Sequence, residues 1–298
     1  MAAPTPPLER LAAATTLLFV PADRPDRFAR ALGAGADGVV VDLQDAVRPE
    51  RRRDARSSVA GLAARRTTDQ LVVVRISELD SPDLVDDVRA ARQARADAVM
   101  VPAFAPAAAA ELGAALDSEV AGLAVIGLIE TPAGLLQLLA GESLPSTVDR
   151  LALGAVDLHA QLGLPWAPAG PHADAAAVAL VWASAAAGLP APLDSPHIVL
   201  DDPAGLTAAA ERAARFGFGG KLAIHPDQIG PIRLAFAPSA EDIAWAHEAV
   251  SEWSAAGGAG AEGALRVRGQ LVDAAMLRRA RRILTGADQP SRRAGGQS

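Results

Sequence analysis

The chain has 298 residues, of which 50% are hydrophobic, and a net charge of −7 at pH 7. This length suits one large α/β domain or two small ones. The acidic balance argues against nucleic-acid binding, which needs a basic face, and no apolar run reaches membrane-spanning length. The sequence has no cysteine, which excludes disulfides, thiolate metal sites and cysteine nucleophiles.

The first apolar segment is LAAATTLLFV (11–20). It follows Glu9 and Arg10 instead of a basic n-region, and PADRPDR comes after it. A small-residue cleavage site is also lacking, so the segment does not match a signal peptide. We interpret it as the first core strand of a cytoplasmic protein.

Short apolar runs recur along the chain, separated by Ala-, Arg- and Leu-rich stretches of helical character. The runs are TTLLFVPA (15–22), GVVVDLQD (38–45), LVVVRIS (71–77), AVMVPAF (98–104), LAVIGLIE (123–130), RLALGAVD (150–157), APLDSP (191–196) and KLAIHP (221–226). Most lack period-two alternation, which is typical of parallel strands covered on both faces. Eight strand-plus-helix units predict an α/β fold of the (β/α)8 TIM-barrel type. An open doubly wound sheet is the alternative, and it would rarely need eight such units.

Polar residues fall in the last few positions of these runs. They are Asp42, Asp45, Arg75, Glu130, Asp157, Asp194 and His225. In a barrel the strand ends converge on one mouth, where active sites of this fold lie. One such Asp alone is often only the cap of the next helix, but seven together favour a site.

Glu130 and Asp157 form the strongest pair, because they end consecutive predicted strands and would be neighbours in a barrel. Adjacent carboxylates in an apolar mouth repel unless one is protonated or a cation lies between them. Two carboxylates with waters and substrate oxygens are a normal Mg2+ arrangement. The five histidines show no zinc-ligand spacing. The pair therefore predicts a Mg2+ site, and a metal-free acid/base dyad is the alternative.

Arg75 at the end of the third run offers bidentate recognition of a carboxylate or a developing oxyanion. Its alternative role is an ion pair with Asp42 or Asp45, and the two roles can coexist. Lys221, the only lysine in the chain, could be a Schiff-base nucleophile. It lies at the start of its predicted strand, however, away from the predicted mouth.

The predicted barrel domain covers 1–236. A C-terminal helical extension or lid is predicted over 237–285, and a disordered tail over 286–298. The extension contains a helix over 237–256 with Ser239 as N-cap, and a second over 271–284 opened by Asp273. GAGAEG (258–263) between them matches G-x-G-x-x-G without the strand-to-helix context of a dinucleotide site, so we interpret it as a hinge.

Eight segments, in order, resemble the citrate lyase β-subunit-like branch of the HpcH/HpaI aldolase family. They are LFVPADRPDRFARAL, VVVDLQDAV, VVVRIS, GLIETPAG, LALGAVDL, FGFGGKLAIHPDQI, AFAPSAEDIAWA and GQLVDAAMLRRARRIL. The resemblance covers roughly residues 15–285. It implies a TIM barrel with a C-terminal extension, a Mg2+ site and a homotrimer. The implied reaction makes or breaks a carbon–carbon bond in a β-hydroxyacyl-CoA.

The resemblance also implies roles for single residues. Glu130 and Asp157 are similar to the two metal ligands, and Arg75 to the arginine that holds the keto-acid portion and the enolate. Asp42 and Asp45 resemble acids that order Arg75 and the metal's waters. Asp273 resembles an acid that the extension inserts into a neighbouring subunit's site. The LFVPADRP loop, with Arg24, is similar to one that lies along CoA.

Three positions depart from the family pattern, which commonly has DLEDAV, VR-(V/I)-N and PK where this chain has Gln44, Ser77 and Ala103. Gln44 removes a negative charge, Ser77 shortens a polar contact beside Arg75, and Ala103 removes a cation. The expected function is a Mg2+-dependent lyase of the malyl-CoA, citramalyl-CoA or citryl-CoA type. An aldolase acting on free hydroxy-keto acids and a non-catalytic acyl-CoA-binding barrel are the alternatives, and cleavage, synthesis and thioester hydrolysis stay open.

Overall fold

A computed structural model describes residues 5–62, 70–111, 122–166, 169–257 and 263–288. Eight parallel strands close into a barrel in chain order, which confirms the predicted (β/α)8 fold. The strands are Thr16–Pro21 (β1), Gly38–Asp42 (β2), Leu71–Arg75 (β3), Ala98–Val101 (β4), Ala124–Ile129 (β5), Val148–Leu153 (β6), Leu193–Asp194 (β7) and Gly220–Ala223 (β8).

Helices follow the strands around the barrel. They are Pro7–Ala13 (α1), Phe28–Leu32 (α2), Arg52–Ala60 (α3), Leu84–Gln93 (α4), Pro106–Glu111 (α5), Pro132–Leu139 (α6), Ala155–Gln161 (α7), Pro171–Ala186 (α8), Pro203–Phe216 (α9) and Ile229–Phe236 (α10). Helices α6 and α9 begin with proline directly after a capping side chain, Thr131 or Asp202. Proline suits that first position because its missing N–H would have no helical partner there. Within the described part of the chain, no helix is both long and apolar enough to cross a membrane.

The barrel interior is filled by every second strand residue. The pairs Val73 and Leu71 on β3, and Leu128 and Ile126 on β5, belong to this central core. Successive strand residues point to opposite faces, so the inward series continues two residues beyond each core position. Continued to the carboxyl ends of β3 and β5, the series reaches Arg75 and Glu130. The alternation therefore carries charged side chains into the mouth.

The opposite end of the barrel is closed by α1 and by a buried arginine on β6. Leu11 and Ala14 pack into the central core. Arg150, fully buried, donates from one terminal nitrogen to the carbonyl oxygens of Leu11 (2.6 Å) and Ala14 (2.8 Å), and from Nε to that of Ala191 (2.9 Å). The prediction of one strand over 11–20 is therefore wrong in its first part, because Leu11 belongs to the helix that plugs the barrel.

The described residues divide into two compact units, the first ending at Ile232 and the second beginning at Arg233. The described elements of the second unit are helix Ala240–Ala255 (α11), the antiparallel strands Leu265–Val267 (β9) and Gln270–Val272 (β10), and helix Ala274–Asp288 (α12). Trp245, Trp253, Val272 and Leu277 form part of its apolar core. Ser239 accepts a hydrogen bond from the Asp242 N–H at 3.0 Å, as expected of the N-cap of α11.

Two sequence-based boundaries in this unit are wrong. Leu271 and Val272 lie in β10, because Arg268 and Gly269 both have positive φ (48° and 80°) and form the tight turn of a hairpin. Helix α12 begins directly after Asp273, the residue predicted to open it, and continues to Asp288, beyond the predicted helix end at 284. Residues 258–262 of the predicted hinge, and the predicted tail from 289 onward, lie outside the described residues.

Candidate active site

Arg75 and Asp42 face each other at the carboxyl ends of β3 and β2. The two residues are register partners, and the guanidinium donates from Nε to Asp42 Oδ1 (2.8 Å) and from a terminal nitrogen to Oδ2 (2.6 Å). Asp42 also accepts the backbone N–H groups of Gln44 and Ala46. Burial alone would lower the pKa of Arg75, but the hydrogen bonds and charge of Asp42 raise it above its ordinary value. Arg75 is a permanent, oriented cation.

Asp45 lies on the other side of the same guanidinium, 3.2 Å from its second terminal nitrogen. Its side chain is largely exposed, unlike that of Asp42. Enclosure by neighbouring groups raises the pKa of Asp45, and the charges of Asp42 and Asp157 add to the effect, while Arg75 opposes it. Two of the five guanidinium N–H bonds remain without an acceptor among the described residues, and they are available to a ligand.

Glu130 follows directly after β5 and is nearly fully buried. Its Oε1 accepts the backbone N–H of Ala103 at 2.7 Å, while its buried Oε2 has no hydrogen-bond partner among the described residues. Burial raises the pKa of Glu130 to about 7, with a further contribution from the charge of Asp157, against the N–H of Ala103 and the charge of Arg75. A buried carboxylate oxygen without a partner is costly, so this site favours a proton or a cation at Oε2.

Asp157 lies in the first turn of α7, four residues beyond the end of β6. The sequence placed it at a strand end, and the structure places it at the start of the following helix. Its side chain still lines the same cavity as Glu130. The predicted pair is therefore brought together, but by a helix and a strand instead of two strands.

The cavity between these residues has a volume of about 430 Å3. Its charged lining residues are Arg27, Asp42, Asp45, Arg75, Glu130 and Asp157. Four carboxylates and two guanidiniums leave a formal surplus of two negative charges. Apolar side chains such as Phe19, Leu128 and Leu222 cover much of the remaining wall. The cavity thus suits a small ligand that brings positive charge or carries a dication.

The carboxylates fit Mg2+. Their hard oxygen donors are the kind that this ion prefers, and Mg2+ usually takes only one or two carboxylates and keeps several waters. Within the described ranges, no three His, Cys, Asp or Glu side chains gather as a metal cluster. The partnerless Oε2 of Glu130 and the charge surplus are the features of this structure that a divalent cation would satisfy.

Asp194 and Lys221 lie outside this cavity, in an ion pair of 2.5 Å behind the barrel wall. The core residues Leu193 and Leu222 point inward, so their neighbours in sequence, Asp194 and Lys221, point outward. The prediction that Asp194 contributes to the mouth is therefore wrong. His225 is half-exposed beside Asp227 and does not line the cavity either.

The three departures from the family pattern have different surroundings. Ser77 donates its hydroxyl to Asp87 (2.7 Å), so it ties the end of β3 to α4 and makes no hydrogen bond to Arg75. The expectation of a polar contact beside Arg75 is wrong for this reason. Gln44 does not line the cavity, but its N–H helps to hold Asp42. Ala103 donates its backbone N–H to Glu130 Oε1.

Sequence reasoning missed Ser195, Gly154 and Phe19. Ser195 lines the cavity, and its Oγ accepts the N–H of Ala155 at 3.0 Å, which anchors the start of α7. Phe19 lies under the Arg75 guanidinium, with 5.1 Å from the guanidinium carbon to the ring centroid. Ser195 and Gly154 both lie two residues after an inward-facing core residue, so the period of two could have found them.

Arg24 lies outside the main cavity, on a neighbouring surface concavity. It pairs with Asp26 at 2.9 Å, and its side chain is half-exposed. Arginines 27, 48 and 51 line the same concavity, which shares Pro21, Arg27 and Ala46 with the main cavity. A basic surface therefore continues from the mouth.

Asp273 belongs to the second compact unit. Its Oδ1 accepts the N–H of Met276 at 2.8 Å, so Asp273 is the N-cap of α12. This contact uses one of the two carboxylate oxygens. The catalytic role that the resemblance implies for Asp273 stays a prediction.

Comparisons with known proteins identify the family. The family profile described as HpcH/HpaI aldolase/citrate lyase matches residues 15–226. A citrate lyase subunit beta-like protein of Mycobacterium tuberculosis is 34% identical over 287 residues, covering 93% of this chain and 94% of that protein. An L-malyl-CoA/beta-methylmalyl-CoA lyase of Cereibacter sphaeroides is 30% identical over 308 residues, covering 92% and 94%. The solved structure of CitE from Mycobacterium tuberculosis, in complex with magnesium, acetoacetate and coenzyme A, superposes with a TM-score of 0.77 at 32% identity, covering 93% of this chain and 100% of that one.

Proposed function

Because the chain belongs to the HpcH/HpaI aldolase/citrate lyase family, we propose that it is a Mg2+-dependent carbon–carbon lyase acting on a β-hydroxyacyl-CoA. The observation that carries the proposal is the buried Glu130 Oε2, which has no partner among the described residues and lies in a cavity with Asp157 and Arg75. Glu130 and Asp157 hold the cation. When bound, Mg2+ supplies a Lewis acid and a template for the keto-acid oxygens.

Arg75 binds the thioester end of the reacting group. In the cleavage direction the proposed general base Asp273 takes the proton of the β-hydroxyl, and the O–H electron pair forms the carbonyl of the keto acid. The bond between the α- and β-carbons breaks, and its electron pair becomes the enolate of the acyl thioester. The two N–H bonds of Arg75 without an acceptor stabilise the enolate oxygen, and a proton then returns to the α-carbon. Fixed donors of this kind are worth most where the charge develops. The keto acid and the shortened acyl-CoA are the products.

A CoA thioester is favoured over a free hydroxy-keto acid by the basic concavity next to the mouth. Arginines 24, 27, 48 and 51 lie there, with Arg24 paired to Asp26 and Arg51 to Asp23, and guanidinium groups are suited to binding phosphate groups. We expect the CoA phosphates to lie along this surface, with Arg24 among their ligands. The magnesium and coenzyme A of the CitE complex are consistent with this expectation.

The test is a panel of β-hydroxyacyl-CoA thioesters with and without Mg2+. Released acyl-CoA, free CoA and keto acid are measured separately, and the matching free acids serve as controls. Formation of acyl-CoA and keto acid in equal amounts supports cleavage. Turnover of the free acids alone would contradict the proposal in favour of an aldolase, and Mg2+ binding without any turnover would favour a non-catalytic barrel.

Asp273 is the proposed general acid/base, acting in the site of a neighbouring copy within a homotrimer. Asp273→Asn should keep α12 capped, because Asn caps a helix about as well as Asp. Turnover should fall by about 10²–10⁴-fold, since an amide cannot move the proton. Mixing this variant with Glu130→Ala chains should restore part of the activity. Full activity of Asp273→Asn would exclude the catalytic role, and an inactive mixture would exclude action between copies.

A further inference from the structure

The two oxygens of Glu130 have unequal surroundings. Oε1 is held at 2.7 Å by the N–H of Ala103, whereas Oε2 has no hydrogen-bond partner among the described residues. The contact with Ala103 fixes the orientation of the carboxylate and leaves Oε2 as its open oxygen. The geometry around residues 103 and 154 shows what holds this asymmetry in place.

The N–H that holds Oε1 comes from a strained residue. Ala103 has φ of +45°, a left-handed conformation that costs a non-glycine residue roughly 1–2 kcal/mol. Its neighbour Phe104 is fully buried and donates its N–H to the carbonyl of Leu128 at 3.0 Å. Such strain persists only where the surroundings fix it. Phe104 is therefore the anchor that aims the preceding N–H at Glu130.

Gly154 supports Glu130 from the other side. A Cβ built at Gly154 would lie 2.4 Å from Glu130 Cβ and 2.7 Å from Oε2. Real Cβ atoms do not approach other heavy atoms so closely. The φ of Gly154 is −103°, which any residue can adopt, so glycine is required here for space and not for its backbone conformation. Any side chain at this position would enter the volume in front of Oε2.

We propose that Gly154 and the N–H of Ala103 are positioning elements that orient the Glu130 carboxylate for Mg2+ binding, with Oε2 towards the ion. The N–H fixes Oε1, and the missing side chain at 154 leaves room for Oε2 and the cation. This inference rests on the proposed function only in taking Glu130 as a Mg2+ ligand. It predicts that the two residues set Mg2+ affinity without touching the ion.

The first test is calorimetric titration of Gly154→Ala with Mg2+ alone, without substrate. We expect the affinity to fall by about 10- to 100-fold, as found when residues that orient metal ligands are changed. Gly230→Ala is the matched control, because a Cβ at Gly230 would meet nothing within 4 Å, and it should bind as the wild type does. Undiminished binding by folded Gly154→Ala would overturn the proposal.

If Gly154→Ala does not fold, the variant is combined with Glu130→Gly, which removes the opposing Cβ. We expect the double variant to fold, because the clash at 2.4 Å between the new Cβ and Glu130 Cβ would be the cause of the misfolding. A double variant that stays unfolded would overturn the assignment of Gly154 to Glu130.

The second test changes the N–H. Ala103→Val places a β-branched residue where φ is positive, which is strongly disfavoured and should displace the peptide from Glu130. Arg95→Val is the control, since Arg95 shares the positive φ (52°) away from the cavity. We expect at least about tenfold weaker Mg2+ binding in the first variant and unchanged binding in the second. Equal binding by both would overturn the role of the Ala103 N–H.

The outcomes separate this inference from the proposed function. Mg2+-dependent cleavage by the wild type, together with normal Mg2+ binding by folded Gly154→Ala and Ala103→Val, would leave the lyase proposal standing and overturn the inference. A wild type that binds no Mg2+ would overturn both.

Discussion

Each end of the barrel buries an arginine, and the two arginines donate to different kinds of hydrogen-bond acceptor. At the closed end, Arg150 donates to backbone carbonyl oxygens of three residues. At the mouth, Arg75 donates to the carboxylates of Asp42 and Asp45. Carbonyls of the chain are neutral and cannot change their protonation, whereas the carboxylates around Arg75 can.

The two arginines also differ in what lies around them. The contacts of Arg150 join α1 to the strands and fill the base of the core. Around Arg75, the described residues leave two N–H bonds without an acceptor and Glu130 Oε2 without a partner. Buried polar groups are normally satisfied in a folded protein. The same buried residue type therefore serves stability at one end and ligand binding at the other.

Loss of the cation ligand at the mouth should have the largest effect. Glu130→Gln keeps the shape of the side chain but replaces a negatively charged ligand by a neutral amide. We expect Mg2+ binding in calorimetry and Mg2+-dependent turnover to be lost, with the circular dichroism spectrum unchanged. Glu211→Gln, on an exposed face of α9, is the matched control. Normal Mg2+ binding by Glu130→Gln would refute the metal assignment.

At the closed end, Arg150→Met should lower the free energy of unfolding by roughly 2–5 kcal/mol. The change leaves buried carbonyl acceptors without a donor, and each such group costs about 1–3 kcal/mol. Chemical denaturation measures the loss, with Arg215→Met on the exposed side of α9 as control. Mg2+ affinity of the folded fraction should not change. A large fall in that affinity would mean that the two ends are coupled.

At the mouth, Arg75→Lys should lower turnover by about 10²–10³-fold, or roughly 3–4 kcal/mol, by analogy with the loss of an oxyanion donor. An ammonium group retains the charge but not the planar two-pronged contact. The free energy of unfolding should change far less than in Arg150→Met. Arg89→Lys, at an exposed ion pair, is the kinetic control. Near-normal kinetics in Arg75→Lys would make Arg75 only a structural partner of Asp42.

The barrel and the location of the mouth could be predicted because both depend on features that recur along the chain. Eight apolar runs are enough to indicate the fold, and charged residues after them indicate one end. Which strand-end residue enters the cavity depends on the register, which changes with a shift of one residue. Asp194 and Ser195 show this: the prominent carboxylate points outward and the inconspicuous hydroxyl lines the cavity.

The features that sequence reasoning missed are those without a chemical signature. Gly154 matters through the absence of atoms, and Ala103 through a backbone N–H and a positive φ, which residue type alone does not reveal. Arg150 lies within a predicted strand, but its role depends on α1. This helix of seven residues ends inside the segment 11–20 that the sequence predicts as a strand. The hairpin of β9 and β10 has three-residue strands, too short for a periodic pattern.

The smallest expected effect is a pH dependence that arises from Glu130 at the mouth. Glu130 has an ordinary pKa of 4.5 in the unfolded chain and about 7 in the metal-free fold, so the folded state holds a proton more tightly. A group with a raised pKa contributes stability that is fully present at low pH and is lost as the pH rises through the folded value. Between pH 6 and pH 8, the metal-free protein should therefore lose about 1.4 kcal/mol through this group, one pKa unit's worth of free energy.

Denaturation without metal at pH 6 and pH 8 measures this loss, and Glu130→Gln isolates it because the variant lacks the titrating carboxyl but keeps every other one. The wild type should lose about 1.4 kcal/mol more than the variant across this range. Saturating Mg2+ should reverse the trend, since the cation competes with the proton for the carboxylate and binds more tightly as the pH rises. The backbone carbonyls that accept from Arg150 do not titrate, so Arg150→Met should shift the whole profile downward without changing its slope. Equal slopes in the wild type and Glu130→Gln would mean that Glu130 is already ionised at pH 6, and that the positive charge around it, not a bound cation, compensates its burial.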